Sequence, residues 1–173
     1  GKVCDEHNLY WYEDPYKDGG VSINGNKVLS EKLSTPILVG EHMRNFETST
    51  DMLVNGASFF SRADPDYDGG ITGSLKLATA SEGLGADCEI HSCGPAMRHL
   101  ISAIRNSNFY EVNLLHPNCK NAWSLPIYLD GYSDEIDCID NNGNVTVSDK
   151  PGLGVLYDWD HVKKHTLHKV IIE

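Results

Sequence analysis

The stretch from Ser61 to His91 sets the narrowest limits on the fold. It runs into Asp64, passes a double glycine at Gly69-Gly70 and continues as an amphipathic helical segment. It then closes a short strand, Asp87-Cys88-Glu89-Ile90, on His91. A strand, a turn, a helix and another strand within about thirty residues make a βαβ unit. In a parallel sheet, Asp64 and His91 then stand at the carboxyl ends of strands, on one rim. An Asp beside a His holds the imidazole in one tautomer and raises its basicity, which is the equipment of a general base. The stretch alone equally allows a surface Asp and an unrelated His.

The same rhythm extends on both sides. Asn8 to Tyr12 is an aromatic-rich strand running into Glu13-Asp14-Pro15, where proline ends the pairing. Val28, Leu29 and Leu33 space like one side of a short helix. Pro36 to Gly40 is an apolar strand ending on Glu41 and His42, and Phe46 to Val54 reads as a helix stopped by Asn55-Gly56. A third strand starts at Ala57 and reaches Asp64. Ala96, Met97, Leu100, Ile101 and Ile104 recur at helical spacing, and Asn108 to Leu115 reads as a fifth strand carrying Glu111. Strands alternating with helices predict a parallel α/β sheet, and the absence of a Gly-rich dinucleotide fingerprint favours a barrel over an open sheet.

After Leu115 the character changes. Ile136 to Asp140 and Val145 to Val147 flank Asn141-Asn142-Gly143-Asn144, a hairpin signal. Asp158 to His165 reads as a short helix and Val170-Ile171-Ile172 as a last strand. The expected division is therefore a β/α part over residues 1–116 and a hairpin, helix and strand extension over 117–173.

The chain has 173 residues and a formal net charge of −11, which argues against nucleic acid and anionic membrane surfaces as partners. An acidic protein handling an anionic substrate needs a cation in its site, so the charge favours metal dependence. No apolar run is long enough to span a bilayer, and Gly1-Lys2-Val3-Cys4 does not begin a signal peptide. The five cysteines form no CxxC pair, so free thiols in a reducing cytoplasm are the simplest account, and Asn144-Val145-Thr146 is read as a chance glycosylation pattern.

The ionisable residues are not scattered. Glu13, Glu41, Asp64 and His91 end predicted strands, and Glu111 lies within one. Carboxylates on adjacent strand ends suit a hard divalent cation, although solvated acids at loop starts are also common. Asp64-Pro65-Asp66-Tyr67-Asp68-Gly69 has a rival reading as the opening of a calcium loop. Its twelfth position is Leu75 rather than a bidentate Glu, and a strand precedes it.

Taken in order, Trp11-Tyr12-Glu13-Asp14-Pro15, Val39-Gly40-Glu41, Asp64 before Gly69-Gly70-Ile71-Thr72, His91 and Glu111 resemble the enolase superfamily. They are most similar to its mandelate racemase/muconate lactonizing subgroup. The spacings of 28, 23, 27 and 20 residues fit successive βα units. The resemblance implies the C-terminal part of a (β/α)7β TIM-like barrel, with Glu13 and Glu41 as Mg²⁺ ligands. It implies Asp64 and His91 as the dyad that takes the proton alpha to a carboxylate, and Glu111 as the acid that hydrogen-bonds the enediolate oxygen. Family members also carry a capping domain, a Lys-x-Lys motif and a first metal-binding Asp about one βα unit before Glu13. With twelve residues ahead of Glu13, the expectation is that an N-terminal segment supplies these.

His91-Ser92-Cys93-Gly94-Pro95-Ala96 is similar to sugar-acid enzymes, so dehydration of a sugar acid leads as the expected lyase activity. An isomerase is the alternative: a cycloisomerase of an anhydro sugar acid (3,6-anhydro-galactonate type), or a racemase or epimerase. A catalytically silent metal-binding scaffold is the non-enzyme alternative. His42 is a candidate substrate-binding residue and equally a plain rim histidine. The resemblance further implies a cytoplasmic homo-oligomer.

Overall fold

The computed structural model describes residues 1–17, 20–112 and 126–172. Four parallel strands form one sheet in the order β1 (Tyr12–Glu13), β2 (Ile37–Val39), β3 (Phe60–Ala63) and β4 (Cys88–Ile90). Each crossover is made by a helix: α2 (Ile23–Ser30), α3 (Phe46–Val54) and α4 (Gly70–Gly83), with α1 (Lys2–Glu6) ahead of β1 and α5 (Pro95–Ala103) after β4. The chain divides into two compact units, Gly1–Ser92 with Ala96–Glu111, and Cys93–Pro95 with Val112–Glu173.

The helices start where side chains satisfy their first amides. Ser22 Oγ accepts from the Gly25 amide at 3.1 Å, and Asn45 Oδ1 accepts from the Thr48 amide at 2.9 Å. Each such cap is worth about 1 kcal/mol. α3 ends as the sequence predicts, with the Gly56 amide turned back to Leu53 O at a φ of 69°.

Burial on both faces is the rule for a parallel sheet, and β2, β3 and β4 obey it at every residue. One face packs on helices. Ala63, Cys88 and Ile90 join Leu77, Ala78, Met97 and Leu100 in one cluster, and Ile37 and Val39 join Met43, Met52 and Ala57 in another. Each large buried aliphatic here contributes about 1.5–3 kcal/mol. Because strand side chains alternate, the opposite face receives Leu38, Phe60, Arg62 and Glu89, with Arg62 and Glu89 paired in register. Burial pushes the Cys88 thiol up to about 12, so it acts as an inert apolar residue. Among the described residues Cys4, Cys93 and Cys138 likewise lie outside any disulfide.

Several elements depart from the sequence expectation. The first strand is Tyr12–Glu13 rather than 8–12, because Asn8 is left-handed (φ 52°) and the Leu9 amide bonds Cys4 O. The rings of Tyr10 and Trp11 instead pack, mostly edge-on, against Phe60 and Phe109, with centroids 5.5–5.8 Å apart. α1 is an addition to the expected elements. Asp5 accepts from Thr35 Oγ1 at 2.6 Å and from the Thr35 and Ser34 amides, which ties α1 to the approach to β2 and draws the carboxyl pKa down to about 2.

The fifth strand is the main correction. Residues 108–112 form no strand, and 113–125, with His116 and Cys119, lie outside the described residues. The amides of Asn108 and Phe109 go to the Glu89 carboxylate at 3.2 and 3.3 Å, and Asn108 Nδ2 and Ser107 Oγ bond it too. Amides spent on a side chain cannot join a ladder.

In the second unit the expected hairpin reduces to one antiparallel bridge, Ile139 to Val145. The predicted strand at 136–140 is replaced by a 3-10 turn over Ile136–Cys138. Asp140 Oδ1 closes the turn by accepting from the Asn142 and Asn144 amides. The short helix is present as α6 (Trp159–His165), capped by Asp158. Val170, Ile171 and Ile172 are exposed and pair with no strand among the described residues.

Candidate active site

Strand ends deliver the site. Asp64 follows β3 and is 2% exposed. Three hydrogen bonds lock it: its amide donates to Asp68 Oδ2 at 2.8 Å, its Oδ1 accepts from the Asp66 amide at 2.8 Å, and its Oδ2 meets His91 Nδ1 at 2.6 Å. The segment Asp64 to Gly69 is thus a strand-to-helix turn that folds the Asp64 and Asp68 carboxylates inward and leaves Asp66 exposed, which accounts for the calcium-like pattern. Burial pushes the Asp68 pKa up, and the neighbouring Asp64 charge adds to it.

His91 follows β4, its amide bonded to Ala63 O at 2.8 Å. With Nδ1 engaged by Asp64, the other ring nitrogen is free to act, and it faces Glu41 Oε2 at 3.3 Å. Burial disfavours the imidazolium, but the Asp64 hydrogen bond and the Glu41 charge outweigh it, so the His91 pKa lies above its ordinary value. Ser92 then turns left-handed at φ 69°, an uncommon conformation for a non-glycine. That turn aims its amide at Glu111 Oε2.

Glu13 ends β1 with Asp14 just after it, and Glu41 and His42 follow β2. Burial pushes the pKa of Glu13 up against the pull of Arg62, and burial with the Glu41 charge does the same to Asp14. His42 Nε2 lies 3.4 Å from Asp14 Oδ2 and 3.6 Å from Glu41 Oε1. The structure therefore brings Glu13, Glu41, His42, Asp64, His91 and Glu111 to one rim.

Sequence reasoning missed Arg62. Its side chain is 5% exposed and reaches three acids: Nε lies 3.0 Å from Glu13 Oε1 and 3.7 Å from Glu41 Oε2, and Nη2 donates to Glu111 Oε1. Its signal emerges only once the sheet's neighbours are known. A charge inside a strand buried on both faces has only the sheet's second face to occupy, and on that face it needs carboxylate partners.

The donor set fits a hard divalent cation. Single ligand atoms of Asp14, Glu41 and His42 lie within 4.8 Å of one another. Glu13 Oε1 is buried without a well-aligned hydrogen bond, although Arg62 Nε is near, so it keeps a lone pair for a cation. Oxygen-rich donors of this kind are what Mg²⁺ takes, alongside water and substrate.

A parallel βα sheet with acids and an Asp–His pair along its carboxyl rim is the architecture of part of a β/α barrel. The family model described as "Enolase C-terminal domain-like" matches residues 1–161, and the chain belongs to that family. It is 26% identical over 154 residues to L-talarate/galactarate dehydratase of Salmonella typhimurium, covering 89% of this chain and 35% of the relative. It is 30% identical over 168 residues to a D-galactonate dehydratase family member of Salmonella virchow, covering 94% and 37%.

Among solved structures, D-glucarate dehydratase from Agrobacterium tumefaciens, complexed with magnesium, superposes with a TM-score of 0.80 at 25% identity, over 94% of this chain and 41% of that one. A mandelate racemase/muconate lactonizing enzyme from Polaromonas sp. JS666 shares the fold, with a TM-score of 0.71 at 23% identity over 96% and 41%. The fold is thus the C-terminal part of a TIM-like barrel, and the chain spans little more than a third of these curated relatives' length. No described helix is long and apolar enough to cross a membrane.

Proposed function

We propose that this chain carries the proton-transfer side of a Mg²⁺-dependent site that takes the proton alpha to the carboxylate of a sugar acid and expels the β-hydroxyl. One observation carries the reading: His91 is held by Asp64 through Nδ1 while its Nε2 opens onto the rim beside Glu41. Its relatives' names point to the same chemistry.

An alpha proton beside a carboxylate is very weakly acidic, and a second negative charge develops as it leaves. Mg²⁺, when bound, supplies the positive charge for that oxygen, and Glu13 and Glu41 are the residues that would hold it, with Asp14 close by. His91 Nε2 accepts the proton, and Asp64 fixes the ring and stabilises the imidazolium that forms. The same imidazolium then returns its proton to the departing hydroxyl, which makes dehydration overall neutral in protons. Glu111, gripped by Arg62 and the Ser92 amide, is in this reading the acid that meets the substrate oxygens, and His42 the residue that meets a sugar hydroxyl.

The remaining barrel strands and the first metal-binding acid come, in this reading, from polypeptide outside this sequence. Supporting this, Leu9, Tyr10, Phe59 and Phe109 are 49–64% exposed beside a sheet whose edge strand β1 is two residues long. Incubating the full protein with Mg²⁺ and a panel of aldonic and aldaric acids in D2O tests the function. Solvent deuterium entering alpha to the carboxylate, or a 2-keto-3-deoxy product, is the expected result. Neither appearing with any acid of the panel defeats the reading.

A further inference from the structure

We propose that Arg62 is a positioning residue that joins the metal-ligand acids to Glu111 and stands in as their counter-charge when no metal is bound. The proposal rests on the functional reading above and adds a residue to it.

Strand alternation sends Arg62 to the second face of β3, away from Ala63 and the helices. Its register partner is Glu89, the nearest acid across the ladder. Glu89 is not its ion partner, because four donors from residues 107–109 already occupy that carboxylate. The guanidinium instead rises to the rim, where Nε faces Glu13 and Glu41 and Nη2 faces Glu111.

Fully burying a guanidinium, or crowding three carboxylates, is costly for either alone; together they offset one another. The planar fork also spans two acids on different elements at once, which the point charge of a lysine cannot do. Glu111 takes its second donor from the amide of Ser92, the residue after His91. A continuous run of contacts therefore leads from Glu13 through Arg62 and Glu111 to the backbone of the proton acceptor.

Two consequences follow. A cation entering beside Glu13 and Glu41 meets a positive group already paired with them, so Arg62 weakens metal binding. It also aims Glu111, so it supports the chemical step more than substrate capture.

The test compares Arg62→Met and Arg62→Lys with the wild type in the full protein. Mn²⁺ affinity is read by electron paramagnetic resonance, melting temperature is read in chelator and in saturating Mg²⁺, and alpha-proton exchange is split into kcat and KM. Arg62→Met is expected to bind Mn²⁺ roughly tenfold more tightly. It should melt lower in chelator and recover in Mg²⁺, and lose roughly a hundredfold in kcat with KM within a few-fold. Arg62→Lys restores the metal affinity and the chelator melting temperature but not kcat.

Wild-type metal affinity in both variants overturns the counter-charge role. Wild-type kcat in Arg62→Met overturns the positioning role. A melting temperature that stays low in saturating Mg²⁺, with metal affinity unchanged, reduces Arg62 to a structural ion pair. The metal and melting readouts need no turnover, so they decide this proposal even if the wild type exchanges no proton.

Discussion

His91 Nδ1 lies 2.6 Å from Oδ2 of Asp64, a carboxylate that is almost wholly buried. The pair has a definite pH signature. His91 is raised above the ordinary imidazole value of about 6.5, and only its neutral form accepts a proton. Exchange should therefore rise with pH along a limb set by the His91 ring. Linkage runs the other way: the stability gained from the protonated His91 is present below that value and is lost as pH climbs through the raised one. Asp64→Asn removes the raising hydrogen bond and leaves burial to dominate. The limb should move to lower pH while the rate falls roughly 10²- to 10⁴-fold. A pH–rate profile of both proteins checks this, and an unmoved limb would contradict the assigned pairing.

Glu89 holds the approach to Glu111 through the amides of Asn108 and Phe109. Glu89→Leu leaves those amides without their acceptor, at an expected cost of about 2–4 kcal/mol by urea denaturation. Glu89→Gln keeps an acceptor oxygen and should cost about half as much. A Glu89→Leu protein as stable as the wild type would show that residues 107–109 are held by something else.

Gly40 sits where β2 meets the rim with a φ of 158°, and a Cβ there would come within 2.4 Å of Arg62 O. Backbone cannot move aside as a side chain can, so Gly40→Ala should cost about 2–3 kcal/mol and displace the adjacent Glu41, weakening Mg²⁺ binding. Gly56→Ala is the control. That position is left-handed (φ 69°) with nothing within 4 Å, so only a conformational cost of about 1 kcal/mol and no loss of Mg²⁺ affinity are expected. Calorimetric titration and thermal melts of the two variants separate the cases.

What could be read from the sequence was set by which contacts are local. Asp64 and His91 are placed by a single βαβ unit, whose strand ends fix the rim whatever the rest of the chain does. Glu13 and Glu41 follow for the same reason, since each closes its own strand. Glu111 was legible as a residue but not as a conformation. Its segment looked like a strand by composition, and the competing acceptor that cancels the ladder, Glu89, lies 19 residues upstream of Asn108. Arg62 was hidden because Ser61-Arg62-Ala63 shows no apolar alternation, so neither face of β3 announced itself as interior. Only the sheet's neighbours reveal that both are. The C-terminal unit illustrates the converse: a strong turn at Asp140 to Asn144 formed as expected, but the flanking residues made a single bridge.

The central claim is that His91 removes a proton alpha to a carboxylate, and the most direct measurement is loss of that proton in D2O, read as alpha-deuterium in recovered acid or as 2-keto-3-deoxy product, for the wild type and His91→Asn, each with Mg²⁺ binding measured alongside. The account predicts proton loss in the wild type, a fall of at least about 10³-fold in His91→Asn, and Mg²⁺ affinities within a few-fold of each other. Undiminished proton loss in His91→Asn with Mg²⁺ bound would assign the proton to another base and contradict the account.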